Sequence, residues 1–207
     1  MAVATHPIIA PEGRRPILVS IVVVLLLHAW LGYLALPAWL AVFLLVWLYR
    51  DPMRSIPSRP LAIVSPADGT VQVIEQGVDP FLKRDAQHIC LSMSLTGMYA
   101  LRSVTEGNVM QEWHGKPGGL IEKGAMAAWI QTDEGDDLVI VFHAGRFARL
   151  LHCQVGTGGR IGQGQRCGHI LFGCTIELYL PTQSRIEVET GQGVLAGCDV
   201  LAELIHD

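Results

Sequence analysis

The most pronounced feature of the hydrophobicity pattern is an apolar block near the N-terminus. No residue from Ile17 to Leu48 is Asp, Glu, Lys or Arg. A straight helix over this block would be about 48 Å long, which exceeds the roughly 30 Å hydrocarbon core of a bilayer. Gly32 and Pro37, near the middle of the block, favour a break in such a helix. The pattern therefore predicts a transmembrane or re-entrant helical hairpin over 17–48.

Arginines lie on both sides of the apolar block. Arg14 and Arg15 precede it, and three more follow it: Arg50, Arg54 and Arg59. Under the positive-inside rule, both flanks are predicted on the cytoplasmic side of the cell (inner) membrane. Residues 1–16 then form a cytoplasmic tail, and residues 49–60 form a connector. A cleaved signal peptide fits poorly, because the block is too long and no small-residue cleavage site follows it.

After residue 60 the pattern becomes that of β-strands. Apolar runs over 61–64 and 70–74 are separated by Ser65-Pro-Ala-Asp-Gly69, and Asp-Gly between two such runs indicates a turn. Taken alone, Asp68 is better interpreted as a turn residue than as a catalyst. Further strands are predicted over 88–94, 109–113, 127–131, 138–143 and 147–155. Residues 61–207 are therefore predicted to form a mostly β domain with few helices.

Two copies of one glycine-rich pattern occur towards the C-terminus. Val-x-x-Gly-x-x-Ile-x-x-Gly over 155–164 is repeated as Val-x-x-Gly-x-x-Val-x-x-Gly over 188–197. Glycines at such bends allow sharp corners, and the pattern is typical of a barrel-sandwich hybrid. A lipoyl- or biotinyl-type carrier domain is an alternative, but no lysine has the Met-Lys-Met surroundings of an attachment site. The lysines are Lys83, Lys116 and Lys123.

The charge and the cysteine content reduce the number of functions that the sequence allows. The formal net charge is −4 and the pI is near 6.0, and no basic run follows Arg59, which argues against nucleic acid as a partner. The five cysteines are an odd number without a Cys-x-x-Cys pair, as expected of cytosolic thiols. His152-Cys153 and Cys167-x-His169 match no common zinc spacing, so no metal site is predicted.

A small nucleophile lies between two strand patterns at Gly173-Cys174-Thr175. A thiol next to a glycine carbonyl, which no side chain shields, can undergo an N-to-S acyl shift that converts the peptide bond into a thioester. The simpler interpretation is a bend with a buried structural cysteine, because free cysteine is among the most buried residue types. From these three residues alone, both interpretations stay open.

The arrangement of motifs along nearly the whole chain resembles that of phosphatidylserine decarboxylases of the short, membrane-anchored proenzyme type. The N-terminal apolar hairpin is part of the resemblance. The other matching elements are Tyr49-Arg-Asp-Pro-x-Arg54, Val64-Ser-Pro-Ala-Asp-Gly69, Met93-Ser94 leading to Arg102, Ala144-Gly-x-x-Ala-Arg149 and Gly168-x-Ile-x-Phe-Gly-x-Thr175.

The resemblance implies a phospholipid substrate at the membrane and a self-made cofactor. In that family the proenzyme cuts itself between Gly and Ser, and the new N-terminus becomes a pyruvoyl group that accepts electrons as CO2 leaves the substrate. By correspondence, Gly173 would be the acyl donor, Cys174 would replace the serine and become the pyruvoyl group, and Asp68 would match the self-processing aspartate. The two cleavage chains are expected to stay associated, and homo-oligomerisation is left open.

The departures from the family pattern affect residues that are expected to take part in catalysis or substrate binding. Tyr99 stands where the catalytic histidine is expected, and Leu101 and Leu150 replace a usual Asn and Arg. The resemblance assigns substrate binding to Arg102 and Arg149, while an expected Asn-Glu-Arg element has no match. Because free cysteine is a few per cent thiolate at pH 7, the missing histidine is expected to matter less here.

Two functions of different classes are compatible with these departures. The first is a pyruvoyl-dependent phosphatidylserine decarboxylase, which predicts cleavage between Gly173 and Cys174. The second is a catalytically degenerate relative that acts as a lipid- or partner-binding module and persists as one chain. If the histidine is replaced, His88, His143 and His152 are the candidates on predicted strands, and the sequence does not choose among them.

Overall fold

The computed structural model describes most of the 207 residues. The described ranges are 9–115, 124–144, 150–151, 156–171 and 173–205. The chain divides into two compact units, Met1–Met53 and Arg54–Asp207, which are described separately below.

The first unit is helical and reverses direction once. Its elements are helix α1 (Pro11–Leu31), a 3-10 turn (Gly32–Ala35) and helix α2 (Leu36–Leu48). The reversal lies where the sequence predicts a break, and Gly32 there has a φ of 55°. The ends of the two helices meet, because the amide of Ala10 donates to the carbonyl of Tyr49 at 2.8 Å.

Most apolar side chains in the described part of this first unit are exposed. Leu26 and Trp30 are 67% and 83% exposed, for example. The stretch Pro11–Leu48 is long and apolar enough to cross a membrane. Because exposing so much apolar surface to water is unfavourable, this unit fits membrane association.

The second unit is built of strands, and the protein as a whole is mostly β, as predicted, with 41% strand and 22% helix. Among the residues described, the strands are β1 (Ala62–Val64), β2 (Gly69–Asp79), β3 (Arg84–Met93), β4 (Ala100–Arg102), β5 (Gly107–His114), β6 (Ala125–Gln131), β7 (Asp137–Ala144), β8 (Leu150–Leu151), β9 (Arg160–Ile161), β10 (Arg166–Ile170), β11 (Cys174–Leu180), β12 (Arg185–Ile186), β13 (Gly193–Val194) and β14 (Val200–Glu203).

The strands that the structure describes form three antiparallel sheets. The largest has eight strands in the order β13-β2-β3-β11-β7-β6-β5-β9, and the two smaller sheets have the orders β1-β14-β12 and β4-β10-β8. The predicted strands over 88–94, 109–113, 127–131 and 138–143 fall within or overlap β3, β5, β6 and β7. Of the strand predicted over 147–155, only Leu150–Leu151 lies in the described part of the chain.

The two copies of the glycine repeat close the two edges of the large sheet. In the first copy β9 pairs with β5, and in the second β13 pairs with β2. Gly158 and Gly191, at equivalent positions, have φ values of 84° and 88°, in the left-handed region that glycine tolerates best. The repeat therefore has the structural role expected of it.

Strand β11 lies in the interior of the large sheet, paired with β3 on one side and β7 on the other. Its burial alternates, because successive side chains of a strand point to opposite faces. Ile176 and Leu178 are fully buried on one face, and each contributes roughly 1.5–3 kcal/mol to the folded state. Glu177 and Tyr179 point to the other face. This strand fixes the position of the predicted site.

Candidate active site

The Gly173–Cys174 bond lies at the start of β11, after the break that follows Ile170 in β10. Gly173 has a φ of 81°, and a Cβ atom at this position would lie 3.2 Å from Leu95 Cδ2. A side chain there would therefore be strained and crowded. The predicted strand, break and strand are confirmed, and the bend holds the glycine carbonyl next to the first residue of an interior strand.

An open cavity of about 320 Å³ lies against this bond. Its lining residues are Ser92, Met93, Leu95, His143, Gly173, Cys174 and Thr175. The peptide bond between Gly173 and Cys174 therefore borders a space large enough for a small polar group, although the Cys174 side chain itself points towards the core.

The Cys174 thiol is buried. The residue is 7% exposed, and its Sγ atom lies 3.8 Å from Sδ of Met93. Burial raises the pKa of Cys174 to about 12, because a thiolate is poorly solvated there. Very little thiolate is then present at pH 7. Burial therefore opposes the expectation that free thiolate makes the missing histidine less important, and a nearby proton acceptor would favour the acyl shift.

Asp68 lies in a neighbouring part of the second unit and is almost fully hydrogen-bonded. Its carboxylate accepts hydrogen bonds from Arg54 at 2.9 and 3.2 Å, from the amide of Met98 at 3.0 Å and from the amide of Ala196 at 2.8 Å. It lines a second cavity, of about 380 Å³, together with Ser94. Asp68 thus connects three segments, and among the described residues it does not line the Cys174 cavity.

The Asp68-Gly69 turn does not join two paired strands. Strand β1 pairs with β14, whereas β2 pairs with β3 and β13, so the chain passes from one sheet to another at this turn. The turn brings Asp68 next to the segment that begins at Ser94, whose amide donates to the Asp68 carbonyl at 2.8 Å.

Tyr99 is buried, and its hydroxyl donates to the carbonyl of Leu95 at 2.5 Å. Its ring centroid lies 6.2 Å from that of His169. The described lining of the Cys174 cavity contains Leu95 but not Tyr99. Tyr99 therefore contacts the site through the backbone of Leu95.

The two arginines assigned to substrate binding differ in what the structure describes. Arg102 is 4% exposed, and its Nη1 atom donates to the carbonyl of Gly164 at 3.1 Å. A Cβ atom at Gly197 would lie 2.6 Å from Cδ of Arg102, so this side chain is closely packed. Arg149 lies outside the described residues.

A row of polar residues on this other face of the sheet, that of Glu177 and Tyr179, extends from the cavity. Glu177 is at its centre, with Nε2 of His143 3.3 Å and Nε2 of His88 3.7 Å from its carboxylate oxygens. The hydroxyl of Tyr179 donates to Glu177 at 2.8 Å, and the Tyr179 ring stacks on His88 at 4.9 Å. His143 is the member of this row that lines the cavity.

Electrostatic coupling within the row shifts several pKa values. His88, then Tyr179 and His143, lower the pKa of Glu177 to about 2 despite partial burial. Glu177 and, more weakly, Glu75 raise the pKa of His88 from its ordinary 6.5. Burial and Glu177 raise the pKa of Tyr179. The row therefore holds a carboxylate that stays ionised at neutral pH.

Sequence reasoning did not single out Glu177. The sequence shows that Thr175, Glu177 and Tyr179 alternate with apolar residues in β11. The residues that pair with them on the neighbouring strands depend on the strand register, which the sequence does not show. His143 pairs with Thr175, and His88 pairs with Tyr179. Of the three histidine candidates, the structure brings His143 to the cavity, leaves His88 farther along the row and does not describe His152.

Comparison with known proteins gives a consistent result. The family model of phosphatidylserine decarboxylase matches residues 42–202. A phosphatidylserine decarboxylase proenzyme of Nitrosomonas eutropha is 36% identical over 207 residues, covering 96% of each chain. A proenzyme of the same name from Burkholderia cenocepacia is 37% identical over 209 residues, covering 96% of this chain and 97% of the relative.

Proposed function

This chain belongs to the phosphatidylserine decarboxylase family, and we propose that it converts phosphatidylserine to phosphatidylethanolamine and CO2 after cutting itself between Gly173 and Cys174. The observation that carries this proposal is the Gly173–Cys174 bond, bent at a positive φ and bordered by an open cavity at the start of an interior strand. No observation favours the alternative of a catalytically degenerate binding module.

The self-cleavage begins with an N-to-S acyl shift. The Cys174 thiol loses its proton, sulfur attacks the Gly173 carbonyl carbon, and the C–N bond breaks as nitrogen takes up a proton. Elimination then removes the Cα proton and breaks the Cβ–Sγ bond, so that sulfur leaves as a thiocarboxylate on the chain that ends at Gly173. Water replaces the nitrogen at Cα and releases ammonia, which leaves a pyruvoyl group at position 174.

The residues around position 174 fit such a group. Strand pairing with Ala144 holds the backbone of residue 174, so a carbonyl formed there has a fixed position beside the cavity. When present, the pyruvoyl carbonyl supplies an electron sink for the loss of CO2. Ser92 and Thr175 in the cavity lining can orient a polar substrate group by hydrogen bonding.

The other site residues are proposed in supporting roles. Asp68 and Tyr99 are proposed to act in processing, supported by the contacts through which each fixes the segment around Leu95. Arg102 and Arg149 are proposed to serve substrate binding, since guanidinium groups pair well with the phosphate and carboxylate of phosphatidylserine. Because Arg102 is buried, its contribution to substrate binding is proposed to be indirect. It packs around Gly164 and Gly197 and so holds the neighbouring segments in place.

Membrane association is proposed to bring the substrate to the enzyme. The exposed apolar side chains of Pro11–Leu48 support insertion into the inner membrane. The arginines on both flanks support a cytoplasmic location of the β unit.

Intact mass spectrometry of the full chain, purified from membranes in mild detergent, tests the proposed self-cleavage. We expect two chains, 1–173 and 174–207, with the smaller one gaining mass on treatment with a carbonyl-trapping hydrazine. If the 1–173 chain is isolated before its C-terminal thiocarboxylate is hydrolysed, it should be heavier than the same chain with a C-terminal carboxylate. The difference is the mass difference between a sulfur and an oxygen atom.

Cys174→Ala should abolish the cleavage, because it removes the nucleophile. Cys198→Ala is the matched control and should be cleaved normally, since Cys198 does not line the cavity at Gly173. A single wild-type chain without a hydrazine adduct, or cleavage of the Cys174→Ala variant, would contradict the proposal. Release of CO2 from phosphatidylserine vesicles by the cleaved protein then tests the substrate.

A further inference from the structure

The self-cleavage requires a group that removes the Cα proton of residue 174, and the structure offers one beside the Gly173–Cys174 bond. The Cys174 side chain points to the buried face. In an antiparallel strand the Cα–H bond lies roughly in the plane of the sheet and points towards a neighbouring strand. A base on a neighbouring strand, on the face opposite the thiol, can therefore approach this proton where the cavity borders residue 174.

His143 lies on that opposite face. It is paired with Thr175, and directly paired residues share a face of the sheet. Its side chain is 33% exposed and contributes to the lining of the cavity at Gly173 and Cys174. Apart from Cys174 itself, it is the one titratable side chain in the described lining.

Glu177 is the carboxylate next to this imidazole. Its Oε1 atom lies 3.3 Å from Nε2 of His143, and its other oxygen accepts a hydrogen bond from the hydroxyl of Tyr179. This separation places a negative charge beside the ring, which stabilises the ring when it takes up a proton. A carboxylate, a histidine and a reacting centre are then arranged in series along two paired strands.

We propose that the imidazole of His143, positioned by Glu177, takes the Cα proton of residue 174 in the elimination step of self-cleavage. The Cα–H electron pair forms the Cα=Cβ bond, and the Cβ–Sγ electron pair leaves with the Gly173 thiocarboxylate. This inference rests on the proposed self-cleavage and assigns a residue to one of its steps. His143 is the proton-transfer residue, and Glu177 is a positioning residue.

The other described candidates fit this step less well. The Tyr99 hydroxyl already donates to Leu95, and Tyr99 is not in the cavity lining. His88 lies opposite Tyr179, four residues farther along β11 than Thr175, and stacks on its ring. Asp68 lines a different cavity and is bound to Arg54.

The test separates the elimination from the acyl shift. In His143→Gln the acyl shift is retained, but the loss of the base should slow chain separation about a hundredfold. A thioester then accumulates, and hydroxylamine should cut it to give a hydroxamate on Gly173 and a 174–207 chain with an N-terminal cysteine. His114→Gln is the matched control, because His114 is 66% exposed and lies outside the cavity lining.

The outcomes distinguish this inference from the proposed function. A wild-type chain that is neither cleaved nor cut by hydroxylamine overturns the self-cleavage itself. If the wild type is cleaved, normal cleavage of His143→Gln overturns only the assignment of His143. Slow cleavage of His143→Gln without a hydroxylamine-sensitive bond also overturns it, because the block then precedes elimination.

A second variant guards against misfolding. The cavity is open, so added imidazole should restore cleavage of His143→Ala, which a purely structural defect would not allow. Absence of rescue in a variant with wild-type circular dichroism would overturn the proton-transfer role.

Glu177→Gln and Glu177→Asp together test the positioning role of Glu177. The Oε1 atom of Glu177 lies 3.3 Å from the His143 ring, so Glu177→Gln should slow the elimination about tenfold and allow the thioester to accumulate. Glu177→Asp keeps the carboxylate and should recover part of the lost rate. Equal rates in the wild type and Glu177→Gln, or no recovery in Glu177→Asp, would overturn the role of Glu177.

Discussion

Burial of the Cys174 thiol limits how self-cleavage can begin. Replacing serine by cysteine supplies a better nucleophile, but the buried environment raises the pKa of Cys174 to about 12 and removes most of that advantage. The adjacent Gly173 is buried as well, but its backbone borders the open cavity. Loss of the thiol proton is therefore unfavourable, and it is a separate step from the Cα proton transfer proposed for His143.

Asp68 provides a prediction at the scale of a single residue. Its two carboxylate oxygens accept hydrogen bonds from Arg54, from the amide of Met98 and from the amide of Ala196. Asp68→Asn places an NH2 group against one of these donors, so we expect a loss of about 1–3 kcal/mol in the free energy of unfolding. Denaturant unfolding of the full chain in detergent, followed by tryptophan fluorescence, measures it.

Arg54→Gln separates the structural role of Asp68 from a chemical one. This variant removes the ion pair but leaves the carboxylate. If Asp68 takes part in processing, Asp68→Asn should slow cleavage far more than Arg54→Gln does at equal stability. Equal cleavage rates in the two variants would restrict Asp68 to its role in holding the three segments together.

At the scale of the element, β11 combines two functions in one strand. Its buried side chains anchor it between β3 and β7, and its other side chains form the polar row. Because a slip of one residue would exchange the two faces, the buried positions Ile176 and Leu178 also fix the register that brings His143 to Thr175. Packing of the core and geometry of the site are thus determined by the same contacts.

The His88–Glu177 pair makes stability dependent on pH. The pKa of His88 is raised above 6.5, so its contribution is fully present below that pH and is lost as pH rises through the raised value. The pKa of Glu177 is lowered from 4.5 to about 2, so its contribution is present above pH 4.5 and is lost as pH falls towards 2. The pair therefore stabilises the fold most between these limits.

Thermal unfolding in detergent checks this pH dependence. The wild type should melt at a higher temperature than His88→Gln at about pH 6, and the difference should shrink by about pH 9. His114→Gln, in which an exposed side chain is changed, serves as the control. A difference that is the same at both pH values would show that His88 acts through packing on Tyr179 and not through its charge.

At the scale of the whole molecule, the glycine repeat and the apolar helices have separate tasks. The repeat caps both edges of the eight-stranded sheet, which shields strand edges from pairing with other chains. The helices expose an apolar surface that the β unit does not need for its own core. This division is typical of a catalytic unit carried on a membrane segment.

Membrane fractionation tests this arrangement. The protein should remain in the membrane pellet after an alkaline carbonate wash, because the apolar surface of Pro11–Leu48 stabilises insertion. In intact spheroplasts the β unit should resist added protease, and it should be cut in inverted vesicles. Release by carbonate would contradict insertion, and digestion in intact spheroplasts would contradict the cytoplasmic location.

Local chemistry allowed much of this protein to be predicted from its sequence. The apolar block, the break near Gly32 and the strand-break-strand pattern around Gly173 each depend on neighbouring residues and were predicted correctly. The glycine repeat was predicted because positive φ angles at Gly158 and Gly191 demand glycine wherever they occur. Family membership followed from the order of the motifs and was confirmed by comparison.

Long-range strand pairing decided the remainder. The register between β7 and β11 cannot be read from the sequence. That register places His143 opposite Thr175 and brings Glu177 to within 3.3 Å of His143. Burial of Cys174 likewise depends on Met93 across the sheet, so the local sequence suggested a reactive thiol where tertiary packing raises its pKa. The nucleophile and the turn depend on adjacent residues, so the sequence determines them. The solvation of the Cys174 thiol and the groups that can accept protons near it depend on residues distant in sequence, so only the tertiary structure decides them.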